Sequence, residues 1–468
     1  MKYRIFSLFY IAIVFVTQMA AENGSHLWLR LPANAHAEIS APRQSATLNI
    51  AVEELHQAWQ GAPVQLVIQR DKQLQPEGFR IRHEDNKITL TSPTETGLLY
   101  AAYHLLRMQA TGQNVTATQT TENPAYSLRI LNHWDNMDRT VERGYAGQSL
   151  WNWEELPNTL SRYKEYARAN ASIGINGTVL NNVNASPQIL STEYLQKVKA
   201  LADIFRPYGL RVYLSVNFAS PMVLDSLSTA DPLDKKVIRW WKNKVKEIYR
   251  IIPDFGGFLV KANSEGQPGP YDFGRTHAEG ANMLADALKP YKGIVMWRAF
   301  VYSPSDADRA KQAYLEFEPL DGQFRNNVIV QVKNGPIDFQ PREPYSPLFS
   351  AMQHTPLMAE FQVTQEYLGH SNHLAYLAPM WKEFFEFVTP ASLKAVAGVA
   401  NIGTDTNWCG HTFAQANWYA FGRLSWQPSL SSEHIADEWL KQTFDFQPSD
   451  INAQLKKMML DSHEAVVN

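Results

Sequence analysis

From residue 126 onward the sequence repeats one rhythm: a short apolar or β-branched run, a polar loop, and a stretch with helical periodicity. Eight such runs can be recognised, and each precedes a helical or helix-like segment. Eight strands that alternate with helices predict a closed parallel barrel, the (β/α)8 or TIM-barrel fold of the α/β class. The predicted strands are 128–132, 174–180, 210–216, 257–260, 293–297, 328–332, 359–363 and 396–402.

The helices predicted between and after these strands complete the pattern. The segment after the sixth strand fits it least well. An open doubly wound sheet is the alternative, but no Gly-rich phosphate-binding loop follows the first strand, so we favour the barrel. The predicted helices cover 159–169, 193–205, 234–251, 277–288, 306–317, 373–387 and 413–426.

The rest of the chain suggests three further parts. Residues 1–21 combine a basic start, an apolar run too short to span a bilayer comfortably and small residues beyond it, which predicts a signal peptide and export to the periplasm or medium. Residues 22–124 read as a small α/β accessory domain, with strands at 65–68, 78–82 and 87–91 and helices at 46–60 and 95–108. The barrel domain then covers 125–427, and 428–468 is a short helical C-terminal remnant.

Composition narrows the functional classes. The net charge of −3 gives no reason to expect nucleic acid or a membrane as partner. Aromatic residues make up 12% of the chain, including 13 Trp, and these either fill the core or stack on sugar rings. Cys409 is the only cysteine, so neither an intrachain disulfide nor a thiolate cluster can form. His133 and His411 could be metal ligands, but neither has a partner at ligand spacing, so we expect no metal and no cofactor.

Three acidic residues follow predicted strands and therefore lie where a barrel places its chemistry. Glu265 follows the fourth strand, Asp338 the sixth and Glu366 the seventh. Glycoside hydrolysis needs one protonated acid for the leaving oxygen and one carboxylate that attacks or activates water. Glu265 is the candidate acid, held in a Gly- and Pro-rich loop, and Asp338 and Glu366 come from adjacent strands and can share a water. Any of the three could instead be a structural ion-pair partner.

Other residues at the same strand ends are cationic, aromatic or amide-bearing. Lys261 and Arg298 either bind an anionic substrate such as a sugar acid or balance the three acids. Asn182 belongs to a predicted rim whose amides and indoles suit a polyhydroxylated ligand. This rim also contains His133, Asp135 and Trp297 among other residues.

Several of these segments resemble the α-glucuronidases of glycoside hydrolase family 67. The resemblance is long and specific, from the accessory domain to about the end of the barrel. It is carried by LNHWDN at 131–136, ERGYAG at 142–147, KANSEG at 261–266, QVKNGPIDFQPREP at 331–344, EFQVTQE at 360–366, NWCGH at 407–411 and ANWYAFGR at 416–423.

The resemblance implies an inverting hydrolase that removes glucuronic acid, or its 4-O-methyl ether, from the terminal xylose of glucuronoxylan-derived oligosaccharides. It implies that Glu265 is the general acid and that Asp338 and Glu366 position and deprotonate the attacking water. In an inverting enzyme the acid and base carboxyls lie roughly 6.5–9.5 Å apart. Lys261 and Arg298 would then hold the uronate carboxylate.

The same resemblance assigns further contacts. Trp134 and Glu142 would line the sugar pocket, and Val183 would touch the 4-O-methyl group. Family members continue into a large helical domain that closes over the site and commonly forms a homodimer, and this sequence contains only its beginning. Two alternatives remain open: another barrel glycosidase, such as a β-hexosaminidase-like enzyme, and a carbohydrate-binding protein without turnover.

Overall fold

Eight parallel strands close into a barrel in the computed structural model, which describes residues 22–30, 36–115, 119–158, 160–300, 309–444 and 449–467. The barrel prediction is therefore confirmed. The order around the barrel is β10-β11-β12-β13-β6-β7-β8-β9, so each strand pairs with its neighbours in the chain and the last closes on the first. The strands are β6 Leu128–Asn132, β7 Gly177–Val179, β8 Arg211–Ser215, β9 Gly257–Val260, β10 Ile294–Arg298, β11 Val328–Lys333, β12 Leu357–Gln362 and β13 Ala395–Val399.

Each barrel strand is followed by at least one helix on the outside. The predicted helix at 373–387 begins later, at Ala378, because Pro379 lies in the first turn, where its missing N–H costs no hydrogen bond. After β11 the helix is a single short turn, as the weak pattern there indicated. The helices are α3 Ser161–Ser172, α4 Thr192–Phe205, α5 Ser220–Asp225, α6 Lys235–Ile251, α7 His277–Leu288, α8 Arg309–Phe317, α9 Leu348–Ala351, α10 Ala378–Phe387 and α11 Gln415–Trp426.

A five-stranded sheet with two helices precedes the barrel. Its order is β1-β2-β4-β3-β5, and β3 runs antiparallel to both β4 and β5. The three predicted strands and both helices are present, whereas β1 and β5 were not predicted because two or three residues are too few to show a period. The elements are β1 Ile39–Ser40, α1 Ala46–Ala58, β2 Val64–Ile68, β3 Phe79–Glu84, β4 Lys87–Ser92, α2 Glu95–Ala110 and β5 Thr120–Glu122.

Two more helices, α12 Ser432–Thr443 and α13 Ser449–Val467, follow α11. Glu438 on α12 is buried and pairs with Arg423 on α11 at 2.8 Å and with Arg107 on α2 at 3.7 Å. This charge cluster joins the N-terminal sheet unit, the last barrel helix and the C-terminal helices. The C-terminal segment is thus bound to the body of the protein by buried polar contacts as well as by packing.

Two apolar clusters form the core. The larger lies between the barrel, its helices and the N-terminal sheet. The smaller fills the barrel and includes Ile130, Leu259, Met296, Ile329 and Met358. Because successive strand residues face opposite sides, every second residue after these also points inward. The barrel interior therefore passes from apolar side chains to polar ones toward the strand ends.

Two predicted segments lie wholly or partly outside the residues that the structure describes. The predicted signal peptide, residues 1–21, lies outside the described residues, as does the start of the predicted helix at 306–317. Among the helices that are described, none combines the length and apolar character needed to cross a bilayer. Cys409 is buried, and burial raises the pKa of its thiol more than the nearby Arg162 charge lowers it, so the thiol is not activated.

Candidate active site

Three cations occupy inward positions at the ends of three adjacent strands. Lys261 lies two residues after Leu259 of β9, Arg298 ends β10, and Lys333 ends β11. All three side chains are buried, between 1% and 5% exposed. Burial lowers the pKa of both lysines and the Arg298 charge lowers it further, against the opposing effect of nearby acids, so the three positive charges repel one another. Such a cluster is costly unless an anion shares the space.

Glu265 lies in the loop that follows β9. Asn263 and Glu265 both adopt left-handed backbone conformations, with φ of 51° and 49°, and Ser264 forms a β-bridge with Gln267. Strained backbone of this kind is found mainly at functional sites, where the surrounding structure maintains it. The loop turns the Glu265 carboxylate back onto the Lys261 ammonium, with which it forms an ion pair.

The charge state of Glu265 is set by this cation cluster. Burial raises its pKa, but the hydrogen bond and charge of Lys261, together with the charges of Lys333 and Arg298, hold the pKa below its usual range. The predicted acid is therefore ionised in the substrate-free protein. The Arg298 charge on β10 and the Lys333 charge on β11 both act on Glu265, which contacts the cluster directly through Lys261.

Asp338 lies at the β11 end of the cluster, in the loop that follows this strand. Its carboxylate accepts from the Lys333 ammonium and from the Tyr367 hydroxyl, both at 2.6 Å. Burial raises the pKa of Asp338, but these two partners keep it below its usual range. The loop itself is fixed by Glu343, whose carboxylate accepts from the Asp338 backbone N–H at 3.0 Å. Asp338 is thus held as an ionised, oriented carboxylate.

Glu366 follows β12 and is buried. It forms an ion pair with Arg143, and the Gln362 side-chain amide donates to its carboxylate at 2.7 Å. The next residue, Tyr367, donates to Asp338, so the two predicted base residues are connected through one side chain. This connection supports the prediction that Asp338 and Glu366 share one region of the pocket.

Arg298 has a second, buried partner. Its guanidinium donates to the Glu360 carboxylate at 3.1 and 3.2 Å, and it lies 5.4 Å from the centre of the Trp134 ring. Part of the Arg298 charge is therefore balanced by Glu360, which was not predicted as a site residue. Removing Arg298 would leave Glu360 charged and buried, which typically costs about 3–5 kcal/mol.

The predicted sugar-pocket residues Glu142 and Asn182 are bonded to each other. The Asn182 side-chain amide donates to Glu142 at 2.9 Å, and the Asn184 amide donates to the same carboxylate oxygen. The Asn184 side-chain oxygen in turn accepts from Lys261 at 2.9 Å. A continuous polar chain therefore leads from Glu142 to the candidate acid, along one side of the pocket.

Trp134 and Val183 belong to the apolar cluster inside the barrel, together with Phe339. The rings of Trp134 and Phe339 are 6.4 Å apart. Among the residues that the structure describes, the buried Trp134 indole N–H has no hydrogen-bond partner. These residues thus combine an apolar surface with a free donor, which suits a sugar ring with hydroxyl groups.

Part of the predicted rim is wrong. Trp297 is fully buried among the outer helices, where its indole N–H donates to His277 at 3.2 Å. His133 is buried beside Tyr166, to which it hydrogen-bonds at 2.8 Å, whereas Asp135, which accepts from Ser149, does line a hollow together with Asn182. The error arises because residues that are adjacent in a strand point to opposite faces, so a rim cannot contain them all.

Sequence reasoning missed several residues that contact the candidate site, five of them charged or phenolic. Lys333 could have been predicted, because it lies four residues after Ile329 in the same strand and therefore points to the same inner face of the barrel. The other four residues gave no comparable sequence signal. They either extend into the site from other loops or pair with a residue whose role was already predicted. They are Arg143, Glu343, Glu360 and Tyr367. Within the described ranges, no cluster of three His, Cys, Asp or Glu side chains could hold a metal ion.

Comparison with solved structures agrees with the barrel fold. A GH138 enzyme that targets the pectin rhamnogalacturonan II matches with a TM-score of 0.59 and 14% identity, over 92% of this chain and 55% of that one. A GH20 β-N-acetylhexosaminidase from Streptomyces coelicolor matches with a TM-score of 0.54 and 11% identity, over 90% of this chain and 95% of that one. At such low identity these likenesses show the fold alone.

Comparison with curated proteins gives closer relatives. "Probable alpha-glucuronidase A" of Aspergillus clavatus is 45% identical over 421 residues, which are 85% of this chain and 50% of that protein. "Alpha-glucuronidase A" of Emericella nidulans is 43% identical, and "Alpha-glucuronidase" of Hypocrea jecorina is 42% identical, each over 84% of this chain and 50% of its own length. The chain thus spans about half the length of these relatives.

Family models identify the chain directly. The model described as "Glycosyl hydrolase family 67 middle domain" matches residues 108–408, which include all eight barrel strands and the three candidate acids. The model described as "Glycosyl hydrolase family 67 C-terminus" matches residues 409–468. The middle-domain match alone covers more than half of the sequence. This chain therefore belongs to glycosyl hydrolase family 67.

Proposed function

We propose that the protein is an inverting α-glucuronidase. It hydrolyses the α-1,2 bond between glucuronic acid, or its 4-O-methyl ether, and the terminal xylose of glucuronoxylan fragments. The observation that carries this proposal is the buried cluster of Lys261, Arg298 and Lys333 between the candidate acid and the candidate base pair. The names of the fungal relatives support the same activity.

The cation cluster selects a substrate with a carboxylate. Three buried positive charges repel one another, and although each is paired with an acid (Glu265, Glu360 and Asp338), two of these acids are the proposed catalytic residues. A sugar carboxylate placed between the cations would remove this repulsion. The planar Arg298 fork matches a carboxylate in geometry, and the two lysines supply compact charges beside it.

The candidate acid and the candidate base pair have separate catalytic roles. Glu265 protonates the glycosidic oxygen as the bond to xylose breaks. On the other side, Asp338 and Glu366 orient a water and remove its proton as its oxygen attacks the anomeric carbon from the opposite face of the ring. Tyr367 and Lys333 keep Asp338 ionised and therefore able to accept that proton. Attack from the opposite face inverts the configuration.

The Lys261–Glu265 ion pair links binding to acid catalysis. An acid that must donate a proton cannot remain paired with an ammonium group that keeps it ionised. A uronate carboxylate that binds Lys261 takes over its charge and frees Glu265. The pKa of Glu265 then rises toward the range that its partial burial favours. Substrate binding thus converts a carboxylate into a proton donor.

The remaining contacts fix the sugar ring. Trp134 and Val183 form an apolar wall, which suits the C–H face of the ring and a 4-O-methyl group. Glu142 and Asn182 are placed to bond ring hydroxyls from the polar side of the pocket.

The proposal is tested with reduced aldotriouronic acid as substrate. We expect release of glucuronic acid in the β configuration at first, because a single displacement inverts the α bond. Glu265→Ala should abolish this release while the circular dichroism spectrum and melting temperature stay close to those of the wild type. Binding of the sugar without any release, or release of the α anomer, would contradict the inverting mechanism.

A further inference from the structure

Helix α6, residues Lys235–Ile251, carries a stripe of cations on its solvent face. Positions i, i+4, i+7, i+11 and i+15 fall within a narrow arc of a helix, opposite the side that buries Val237, Trp241 and Ile248. The cations at these positions are all exposed and span about 22 Å at 1.5 Å per residue. This basic stripe consists of Lys235, Arg239, Lys242, Lys246 and Arg250.

Neighbouring acids offset the basic stripe only weakly, although the Arg250 charge does act on Glu247. Within the described part of the chain, none of its five cations forms an ion pair, and the nearby acids are already paired elsewhere. Asp231 binds Arg275 at 2.9 Å, Glu247 binds Lys244 at 2.8 Å, and Asp254 binds Arg206 at 2.7 Å. The helix contains seven Lys and Arg residues against one Glu, whereas the whole chain has a net charge of −3. The stripe is therefore a local positive surface on a weakly acidic protein.

The position of the stripe connects it with the candidate active site. In a (β/α)8 barrel each helix runs antiparallel to its strand, so α6 begins at the end of the barrel where the strands terminate and where the candidate acids lie. Lys235 stands at that end. At the other end, Lys246 and Arg250 line a shallow hollow of about 470 Å³ together with Tyr249 and Tyr291.

The hollow adds an aromatic surface to the last two cations of the stripe. The rings of Tyr249 and Tyr291 are stacked with centres 4.3 Å apart, and Tyr291 is 39% exposed. An exposed ring of this kind can pack against the C–H face of a sugar. The combination of spaced cations and an aromatic ring therefore fits an acidic carbohydrate better than it fits a bare phosphate backbone.

We propose that the basic stripe binds an acidic polysaccharide, an extended chain that carries uronic acid groups along its length. This inference rests on the proposed function, because the polymer that carries the uronate recognised in the pocket is then the polyanion that the protein meets. The stripe holds the polymer by charge along the side of the barrel, and the pocket acts on a chain end nearby. Electrostatic attraction of this kind raises the local concentration of substrate and weakens with salt.

The test compares two variants with the same loss of charge. In the stripe variant, Lys235, Arg239, Lys242, Lys246 and Arg250 are each replaced by Gln, which keeps good helix propensity at exposed positions. The control variant replaces five exposed cations elsewhere by Gln: Arg70, Lys72, Arg82, Lys87 and Lys394. Both are made in the Glu265→Ala background, so that bound polymer is not cleaved. Binding is measured with soluble glucuronoxylan and with the same polymer after reduction of its carboxyl groups.

We expect the stripe variant to bind glucuronoxylan about tenfold more weakly at low salt, with the control variant unchanged and the difference lost as salt rises. The carboxyl-reduced polymer should bind weakly to all three proteins.

Equal binding by the stripe and control variants overturns the proposal, as does stripe-dependent binding that is tighter to duplex DNA or to phosphatidylglycerol vesicles. Turnover of aldotriouronic acid by the stripe variant with an intact Glu265 should match that of the wild type. Failure of the wild type to cleave that oligosaccharide would overturn the proposed function. It would not affect the stripe proposal, which is tested only by binding to the polymer.

Discussion

The ion pair between Lys261 and Glu265 joins a proposed substrate-binding residue to the proposed acid. Lys261 lowers the pKa of Glu265 in the substrate-free protein, and the proposed mechanism requires that this pKa rises when substrate binds. An acid must be protonated to work, so activity falls as pH rises through its pKa. For kcat/KM the relevant value is that of the free enzyme, and for kcat it is that of the complex.

This difference predicts two separate pH profiles. The alkaline limb of kcat should lie at higher pH than the alkaline limb of kcat/KM, measured with a short aldouronic oligosaccharide. In Lys261→Gln the free enzyme no longer has the ion pair, so the two limbs should move closer together, and KM should rise. Coincident limbs in the wild type would show that Lys261 does not control the acid.

Single residues also show how far the sequence could lead. Glu265, Asp338, Glu366, Lys261 and Arg298 were predicted because each follows a strand, and the barrel brings strand ends together. Their partners could not be predicted in the same way. Arg143 and Tyr367 reach the site through folded loops, and the resemblance to family 67 gave roles to the acids but not to these contacts.

The loop after β11 positions Asp338 through a second carboxylate. Glu343 accepts from the Asp338 backbone N–H at 3.0 Å, and burial raises the pKa of Glu343 to about 7. Its carboxylate lies directly against Gly335, where an added Cβ would meet the Glu343 Oε2 atom at 1.7 Å and the Glu343 Cβ atom at 2.8 Å. Gly335 is thus required so that Glu343 can reach the loop.

Gly335→Ala should therefore reduce activity through the loop. The new methyl group displaces Glu343, and Asp338 loses the contact that fixes its backbone. We expect kcat to fall by about 10- to 100-fold, with a smaller change in KM, because the base is misplaced while the cation cluster remains. Glu343→Ala should lower kcat to a similar degree, and adding Gly335→Ala to it should cause little further loss. Additive losses in the double variant would argue against this coupling.

The elements themselves were largely predictable, because β-like runs and helical periods alternate regularly from residue 128 to residue 426. The differences lie where local signals are weak. Strand β7 is shorter than its apolar run, covering only Gly177–Val179, and the short α9 has no long periodic stretch. An apolar run shows which residues can be buried, but it does not show where a strand ends. Strand length depends on the neighbouring strands with which the run pairs.

At the scale of the whole molecule, the Glu438 cluster connects three parts of the structure. Burial raises the pKa of Glu438, but Arg423, His434 and Arg107 outweigh this and hold it well below its usual value of 4.5. Because the folded-state pKa is lower than the unfolded one, Glu438 stabilises the fold fully above pH 4.5. That contribution is lost as pH falls through the folded-state pKa.

Glu438→Gln should destabilise the protein at neutral pH by about 3–5 kcal/mol, because two arginines then lie buried without their carboxylate. Its free energy of unfolding should also decline less steeply below pH 4.5 than that of the wild type. Urea denaturation at a series of pH values between 3 and 7 would measure both effects, with Glu464→Gln on the exposed side of α13 as control. Equal acid sensitivity in Glu438→Gln and the wild type would contradict the role given to this cluster.

The central claim is that Lys261, Arg298 and Lys333 make the pocket specific for a sugar carboxylate. The most direct measurement compares kcat/KM for an aldouronic oligosaccharide with kcat/KM for the same compound after reduction of its carboxyl group to an alcohol. We expect the neutral substrate to be worse by at least about 100-fold in the wild type, since a neutral group cannot take over the Lys261 charge and free Glu265. In Lys333→Met this discrimination should shrink. Similar kcat/KM values for the two substrates in the wild type would contradict the account.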